Sequence, residues 1–286
     1  MNPGELASAQ PQSRQSALET KLDDLKKLVR QMGKVIVAYS GGTDSTLLLK
    51  VAHDELGEDA IAVTAVSPST PRDELDSAIS MAEEIGAQHL LIDSDELDNP
   101  DYVANSPQRC YHCKHLRFGK LLEMARDKGF AHVVDGNNLD DLGDHRPGMR
   151  AARELGVRSP LKEAGLTKAD IRALSRKLGL PTWNKPSGAC LASRLPYGTP
   201  ITSARLKQIE DAERFIRSLG ISQLRVRLHG DVARIEAEAK DLPTLLENRS
   251  AIVNELRGLG FSYVTADLEG YRTGSMNETL ADENHE

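Results

Sequence analysis

Cysteine is scarce in this sequence, three in 286 residues, an odd number too small for the disulfide framework of a compact secreted domain. Long apolar runs are missing, so no stretch reads as a membrane span. The first 16 residues, MNPGELASAQPQSRQS, lack the apolar segment of a secretory signal and read as a disordered tail. Basic charge is not in surplus: 36 Lys and Arg stand against 43 Asp and Glu, a net charge of −7. That balance argues against a broad cationic surface for nucleic acid, while leaving room for a local basic patch. There is no internal repeat and no low-complexity tract. A cytoplasmic protein with neither membrane nor nucleic-acid partner is the expectation, and the three cysteines need another explanation.

What is present is ordinary for a folded chain: 39% hydrophobic and 28% charged residues give no reason to expect global disorder, and the length suits two modest domains. Leu18, Leu22, Leu25, Leu28 and Val29 recur at helical spacing, with Gly33 placed to end that helix. A strand at 35–39, a helix from about 44, a strand at 60–66, a helix at 72–86 and a strand at 89–93 follow, the alternation of a parallel α/β sheet. A helix at 115–129 and a strand within 132–138, whose end releases Asp135, Gly136 and Asn137 into a loop, extend it, and Thr167 with Asp170 reads as a capping box for a helix at 168–178. The stretch GLPTWNKPSGACLASRLPYGTP is a long Gly- and Pro-punctuated loop. Beyond it the pattern becomes helix, two alternating strands, helix and strand. The expected division is therefore a tail at 1–16, an α/β parallel-sheet domain at 17–199, a small α+β domain at 200–276 and a frayed end at 277–286.

Within VIVAYSGGTDSTLLLK a buried strand runs into two glycines and then a helix. Such a bend lets backbone N–H groups approach an oxyanion where the helix dipole favours negative charge. It has neither Walker A spacing nor the three-glycine dinucleotide fingerprint; the bland alternative is a tight turn with Ser and Asp as caps. RCYHCK sets Cys110 and Cys113 three residues apart, able to grip one metal or cluster edge, and Cys190 lies in SGACLASR. Three thiolates on a 4Fe-4S cluster leave one iron open to an external ligand such as sulfide. Zinc held by Cys110 and Cys113 with His112, His115 or Cys190 is an alternative, as are inert buried cysteines.

SGGTDS resembles the PP-loop of the ATP pyrophosphatase superfamily, matched at Ser40, Gly41, Gly42, Asp44 and Ser45 around Thr43. The likeness implies ATP bound by its pyrophosphate end, Asp44 placing Mg2+, and transfer of AMP to a substrate oxygen. Together with RCYHCK, DGNNLDDLGDHRPG, NKPSGACLASRLPYGTPIT and LRVRLHGDVARIE, in that order over residues 18–272, the chain resembles the LarE family of ATP-dependent sulfur transferases. The resemblance implies adenylation of the carboxylates of pyridinium-3,5-biscarboxylic acid mononucleotide and their conversion to thiocarboxylates. In some members the sulfur comes from the cysteine matched by Cys190, left as dehydroalanine; three-cysteine members carry a 4Fe-4S cluster that relays sulfide, and this sequence resembles that second type. It further implies roles for Arg225 and Arg227 on the substrate phosphate, for Ser193 and Arg194 beside the acyl adenylate, and for Glu213 and Glu236 in substrate or metal binding, with surface charge the equal alternative for either glutamate. Ser67, Gly136 and Asn137 would lie near the nucleotide, with Asp141, Asp144 and Arg146 in a charged loop that faces substrate or Mg2+ or is simply solvated. For the arginine pair the alternative is a solvated strand face; Trp183 and Tyr111 either stack on a pyridinium ring or pack in the core. Homo-oligomerisation is expected through family likeness alone, and the sulfide source is open. The rival readings are a tRNA 2-thiolation enzyme and a noncatalytic ATP-binding module.

Overall fold

The computed structural model describes residues 3–143, 147–186 and 188–272. In chain order the elements are α1 (Pro3–Met32), β1 (Val35–Ala38), α2 (Thr43–Leu56), β2 (Ala60–Val66), α3 (Arg72–Ile85), β3 (His89–Asp93), α4 (Pro100–Val103), α5 (Arg109–Lys128) and β4 (His132–Val134). They continue with α6 (Pro147–Glu154), α7 (Pro160–Glu163), α8 (Lys168–Lys177), α9 (Ser203–Ser218), β5 (Leu224–His229), β6 (Val232–Ala237), α10 (Leu242–Glu247), α11 (Arg249–Gly258) and β7 (Tyr263–Ala266). Among the described residues no helix is long and apolar enough to cross a membrane.

The chain forms two compact units. The first takes residues 1–67, 72–95 and 110–188, the second 68–71, 96–109 and 189–286. The expected break at 199/200 thus falls at 188/189, and two short earlier segments belong with the second unit. Hydrogen bonding explains both shifts: Leu191 N donates to Ser69 O, and Ile201 N to Val103 O. The stretch 3–16, set aside as a tail, lies within α1; the stripe that packs begins later, with Leu22, Leu25 and Val29 buried. The expected frayed end lies outside the described residues.

The first unit is the expected parallel sheet, in the order β3-β2-β1-β4. Alternation along the strands divides its core into two faces. Val35, Val37, Ala60 and Ala62 meet Leu25 and Val29 of α1, Leu47 and Leu48 of α2, and Ile171 and Leu174 of α8. Ile36, Ile61, Val63 and Val133 face Phe118, Leu121 and Ala125 of α5 and Ala152 of α6. Helices cover both faces, so both sets of side chains on the central strands are apolar. The strand order reverses between β1 and β4, which opens a crevice at their carboxyl ends, where such sheets bind ligands.

One boundary differs from the sequence pattern. α5 starts at Arg109 rather than 115, which puts Cys110 and Cys113 on a helix; its buried apolar residues begin only at Phe118, so the first turns carry no apolar stripe. β4 ends at Val134 and releases Asp135, Gly136 and Asn137 into a loop, as expected, because the Asp135 amide pairs with Arg158 O and the Asn137 amide turns back onto Asp135 Oδ1 at 3.1 Å. The capping box forms as read: Thr167 accepts from the Asp170 amide and Asp170 accepts from the Thr167 amide.

In the second unit β5 and β6 form an antiparallel hairpin turning at Gly230 and Asp231, and β7 pairs parallel to β6. α9, the helix expected after the loop, lays Leu206, Ile209, Ala212 and Ile216 into its core at helical spacing. The single helix expected over 242–260 is two, α10 and α11, meeting at Asn248.

Candidate active site

The glycine bend after β1 opens into the crevice of the first unit. Gly41 has φ +67°, and a Cβ there would lie 2.6 Å from Ala78 Cβ and 2.8 Å from Ala78 Cα, so conformation and space both require glycine. Ser40 Oγ and Ser45 Oγ sit 3.0 Å apart across the bend, and Ser45 Oγ donates to Gly42 O at 3.3 Å. Gly42 is the N-cap of α2 and offers no side-chain acceptor, so the first-turn amides are left to an incoming anion. Thr43 contributes main chain only: its side chain is buried and its hydroxyl donates to Thr182 O at 2.7 Å.

Gly136, at the end of β4, closes the other side. A Cβ there would meet Ser45 N at 2.9 Å and Ser45 Cα at 3.2 Å, backbone atoms that cannot swing away. Gly136→Ala is therefore expected to destabilise the protein by about 1–3 kcal/mol through overpacking and to weaken ATP binding, as a nucleotide titration beside a urea melt would show. Asn137 is turned onto Asp135, its Nδ2 2.5 Å from Oδ2. Ser67, the residue after β2, accepts from Arg117 Nη2 at 3.2 Å.

Asp44, in the first turn of α2, is gripped by a residue that the sequence reading did not single out. Lys168 Nζ lies 2.7 and 2.6 Å from its two carboxylate oxygens. Burial pushes the Asp44 carboxyl above its ordinary range, with the charge of Asp141 adding to the rise and Lys168 opposing it. Asp141 is buried and accepts from the Asn138 amide at 2.9 Å, so it shapes its own turn rather than standing in solvent. Asp144 and Arg146 lie outside the described residues. Lys185 was also missed: its Nζ reaches Glu74 at 2.7 Å and Gly41 O and Ser77 Oγ at 3.2 Å, anchoring the loop from its far side.

In the second unit the arginine pair is not a solvated face. Arg225 and Arg227 are both buried. Arg227 donates to Ser193 O at 2.7 Å and to Glu236 Oε2 at 2.8 Å; Arg225 donates to Leu224 O, with its guanidinium 5.2 Å from the Tyr271 ring. Burial lowers the pKa of Arg225, and the neighbouring Arg194 charge adds to the fall. Glu213 and Glu236, expected as substrate or metal ligands, are fully buried partners of these arginines. Glu213 accepts from Arg194 Nε at 2.8 Å and Nη2 at 3.0 Å, from Arg217 at 2.8 Å and from the Val226 amide at 3.0 Å. Four bonds on two oxygens make it a counter-ion rather than a metal ligand. Arg194 spends its remaining nitrogen, Nη1, on Ala189 O, Cys190 O and Ser193 Oγ at 2.7 to 3.0 Å. Its geometry is that of a positioning residue for the Cys190 turn, not of a group that reaches an acyl adenylate. Among the described residues of this unit, four guanidiniums (Arg109, Arg194, Arg225, Arg227) and three carboxylates (Glu96, Glu213, Glu236) are buried. The local surplus is positive despite the acidic chain.

None of the three cysteines is in a disulfide; Cys110 is exposed and Cys113 and Cys190 are half-buried, which removes the inert-core reading. Among the described residues no three His, Cys, Asp or Glu side chains gather as a metal site. Trp183 packs under Arg176 and Tyr111 under Arg150, with the Tyr111 hydroxyl on Glu154 at 2.7 Å. Neither ring is a core residue.

Comparison with known proteins bears on the same residues. Residues 34–111, spanning β1 to the start of α5, match the family described as the Arginosuccinate synthase N-terminal HUP domain. The chain is 42% identical over 266 residues to the pyridinium-3,5-bisthiocarboxylic acid mononucleotide synthase of Lactiplantibacillus plantarum, covering 93% of this chain and 96% of that protein. The chain belongs to the LarE family. An uncharacterized protein of Synechocystis is 44% identical over 92% of this chain and 99% of its own length, and one of Methanocaldococcus jannaschii is 33% identical over 84% and 91%.

As a LarE-family protein the chain is an ATP-dependent sulfurtransferase, and the glycine bend of its first unit lies within the residues that match the HUP-domain family. The signals that could have revealed the missed lysines were weak. Lys168 is the first residue after a capping threonine, a position usually read only as helix start, and Lys185 sits in a loop without periodicity.

Proposed function

We propose that the enzyme adenylates the carboxylates of pyridinium-3,5-biscarboxylic acid mononucleotide and replaces a carboxylate oxygen with sulfur, twice per molecule. The observation that carries this is the uncapped glycine bend with Asp44 at the switch point of the sheet. A carboxylate oxygen attacks the α-phosphorus of ATP, the bond to the bridging oxygen breaks, and pyrophosphate leaves into the amides after Gly42. Charge growing on that leaving group meets donors already in place. Asp44 would hold Mg2+, which when bound neutralises phosphate charge. Sulfide then attacks the acyl carbon and AMP departs, leaving a thiocarboxylate. Arg225 and Arg227, within a buried positive surplus, suit the phosphate of the mononucleotide.

For the sulfur source we favour a 4Fe-4S cluster on Cys110, Cys113 and Cys190, whose open iron would carry sulfide. The absence of a disulfide at any of the three cysteines and the i, i+3 spacing of the pair on α5 support it. The alternative is that Cys190 Sγ itself attacks the acyl carbon; loss of its Cα proton then breaks the Cβ–S bond and leaves dehydroalanine. Anaerobically prepared protein is expected to hold about four irons per chain and to make several products per chain at unchanged mass. A colourless protein that loses the elements of hydrogen sulfide at Cys190 after one turnover would establish the alternative. We further propose a cytoplasmic homo-oligomer. The acidic balance of the chain weighs against a tRNA substrate. Pyrophosphate release that requires the dicarboxylate, and not tRNA, is the decisive test.

A further inference from the structure

The stretch 189–201 has little regular structure beyond a short 3₁₀ turn at Leu191–Arg194, yet its backbone is held almost residue by residue. Part of that hold comes from a place about 90 residues earlier that no motif of the sequence points to. Asn105 is fully buried with φ +54°, a conformation that asparagine tolerates better than most residues. Its Nδ2 donates to Pro196 O at 2.8 Å, Thr199 O at 3.0 Å and Leu195 O at 3.4 Å, and its backbone carbonyl accepts from Gly198 N at 3.0 Å. Its Oδ1 accepts from Arg109 Nη1 at 2.6 Å, and the same nitrogen donates to Ala192 O at 3.0 Å. Arg109 is buried too, with its guanidinium 5.5 Å from the Tyr197 ring.

We infer that Asn105 and Arg109 are positioning residues that clamp the Cys190-bearing loop in the geometry sulfur transfer requires. Arg194 grips this loop at residues 189, 190 and 193 and Arg227 at 193; Arg109 takes 192 and Asn105 takes 195 to 199. The two halves are complementary: removing the second leaves that side of the Cys190 turn held by main-chain bonds alone, Leu191 N to Ser69 O, Gly198 N to Asn105 O and Ile201 N to Val103 O. Displacing a reacting group by about 1 Å can cost two orders of magnitude in rate. Arg109 directly precedes Cys110 in the chain, so one guanidinium also ties the residue before the first cysteine to the loop that carries the third. The role in sulfur transfer rests on the function proposed above; the clamp itself does not.

Asn105→Gly is the informative variant, because glycine accepts the positive φ and only the amide is lost. Arg109→Lys keeps the charge and loses the fork. Both are expected to release pyrophosphate within about threefold of wild type while thiocarboxylate formation falls by about 10- to 100-fold. Iodoacetamide labelling followed by peptide mass analysis is expected to show Cys190 alkylated several-fold faster, with Cys113 unchanged. Adenylation and sulfur transfer falling in parallel, or unaltered Cys190 labelling in both variants, would overturn the inference. Should a variant fail to fold, amide exchange in the wild type decides: Gly198 protected to the level of α9 supports the clamp, and exchange as fast as a free loop refutes it. If wild-type protein does not convert the dicarboxylate at all, the proposed function fails while the labelling and exchange results still judge the clamp.

Discussion

Replacing Asp44 with alanine is expected to slow pyrophosphate release by about 10²–10³-fold, the loss typical of removing one preorganised electrostatic partner of a transition state, without unfolding the protein. The carboxylate stands in the first turn of α2, beside the uncapped amides proposed to receive the leaving group. Its cost to stability is small because its partner is accessible: the Asp44 and Lys168 side chains are 26% and 34% exposed, and pairs of that kind contribute no more than about 1 kcal/mol. A coupled assay of pyrophosphate release, read beside a thermal melt, separates the two effects. Unchanged release from a folded variant would remove Asp44 from the mechanism.

Glu213→Gln carries the largest expected effect on stability, a loss of about 3–5 kcal/mol in urea unfolding, because it leaves Arg194 buried without its counter-charge. Burial works against ionisation of Glu213, but Arg194, Arg217 and the Val226 amide outweigh it and hold the carboxyl below its ordinary 4.5. The sign for pH follows: a depressed folded pKa means that this stabilisation is fully present above 4.5 and fades as pH falls through the folded value. Wild type should therefore lose stability as the solution is acidified below that point, and Glu213→Gln should lose less. The exposed Glu247→Gln serves as a control, expected to change stability by less than about 0.5 kcal/mol. If Glu213→Gln melts as wild type does across the acid range, Glu213 is not the counter-ion described.

Much of the first unit was legible because its signals are local. Strand periodicity in Val35–Ala38 and Ala60–Val66, the glycine pair and the Thr167 capping box each depend on residues within one turn or strand of one another. The start of α5 was not legible, since its first turns bury no apolar side chain and leave no stripe. The resemblance offers Glu213 and Glu236 as ligands or as surface charge, because a sequence shows a carboxylate but not the guanidiniums that surround it. Their partners Arg194 and Arg227 lie 19 and 9 residues away.

Neighbouring residues alone specify the parallel sheet, the glycine bend and the family, since strand alternation, helix caps and the need for positive φ are local properties. Folding was needed to show that Lys168 meets Asp44 across 124 residues, that Arg225 and Arg227 are buried, and that Asn105 reaches the loop of Cys190. Those pairings join segments brought together by burial of the core, and burial is what turns an ordinary charge or amide into one that must find a partner.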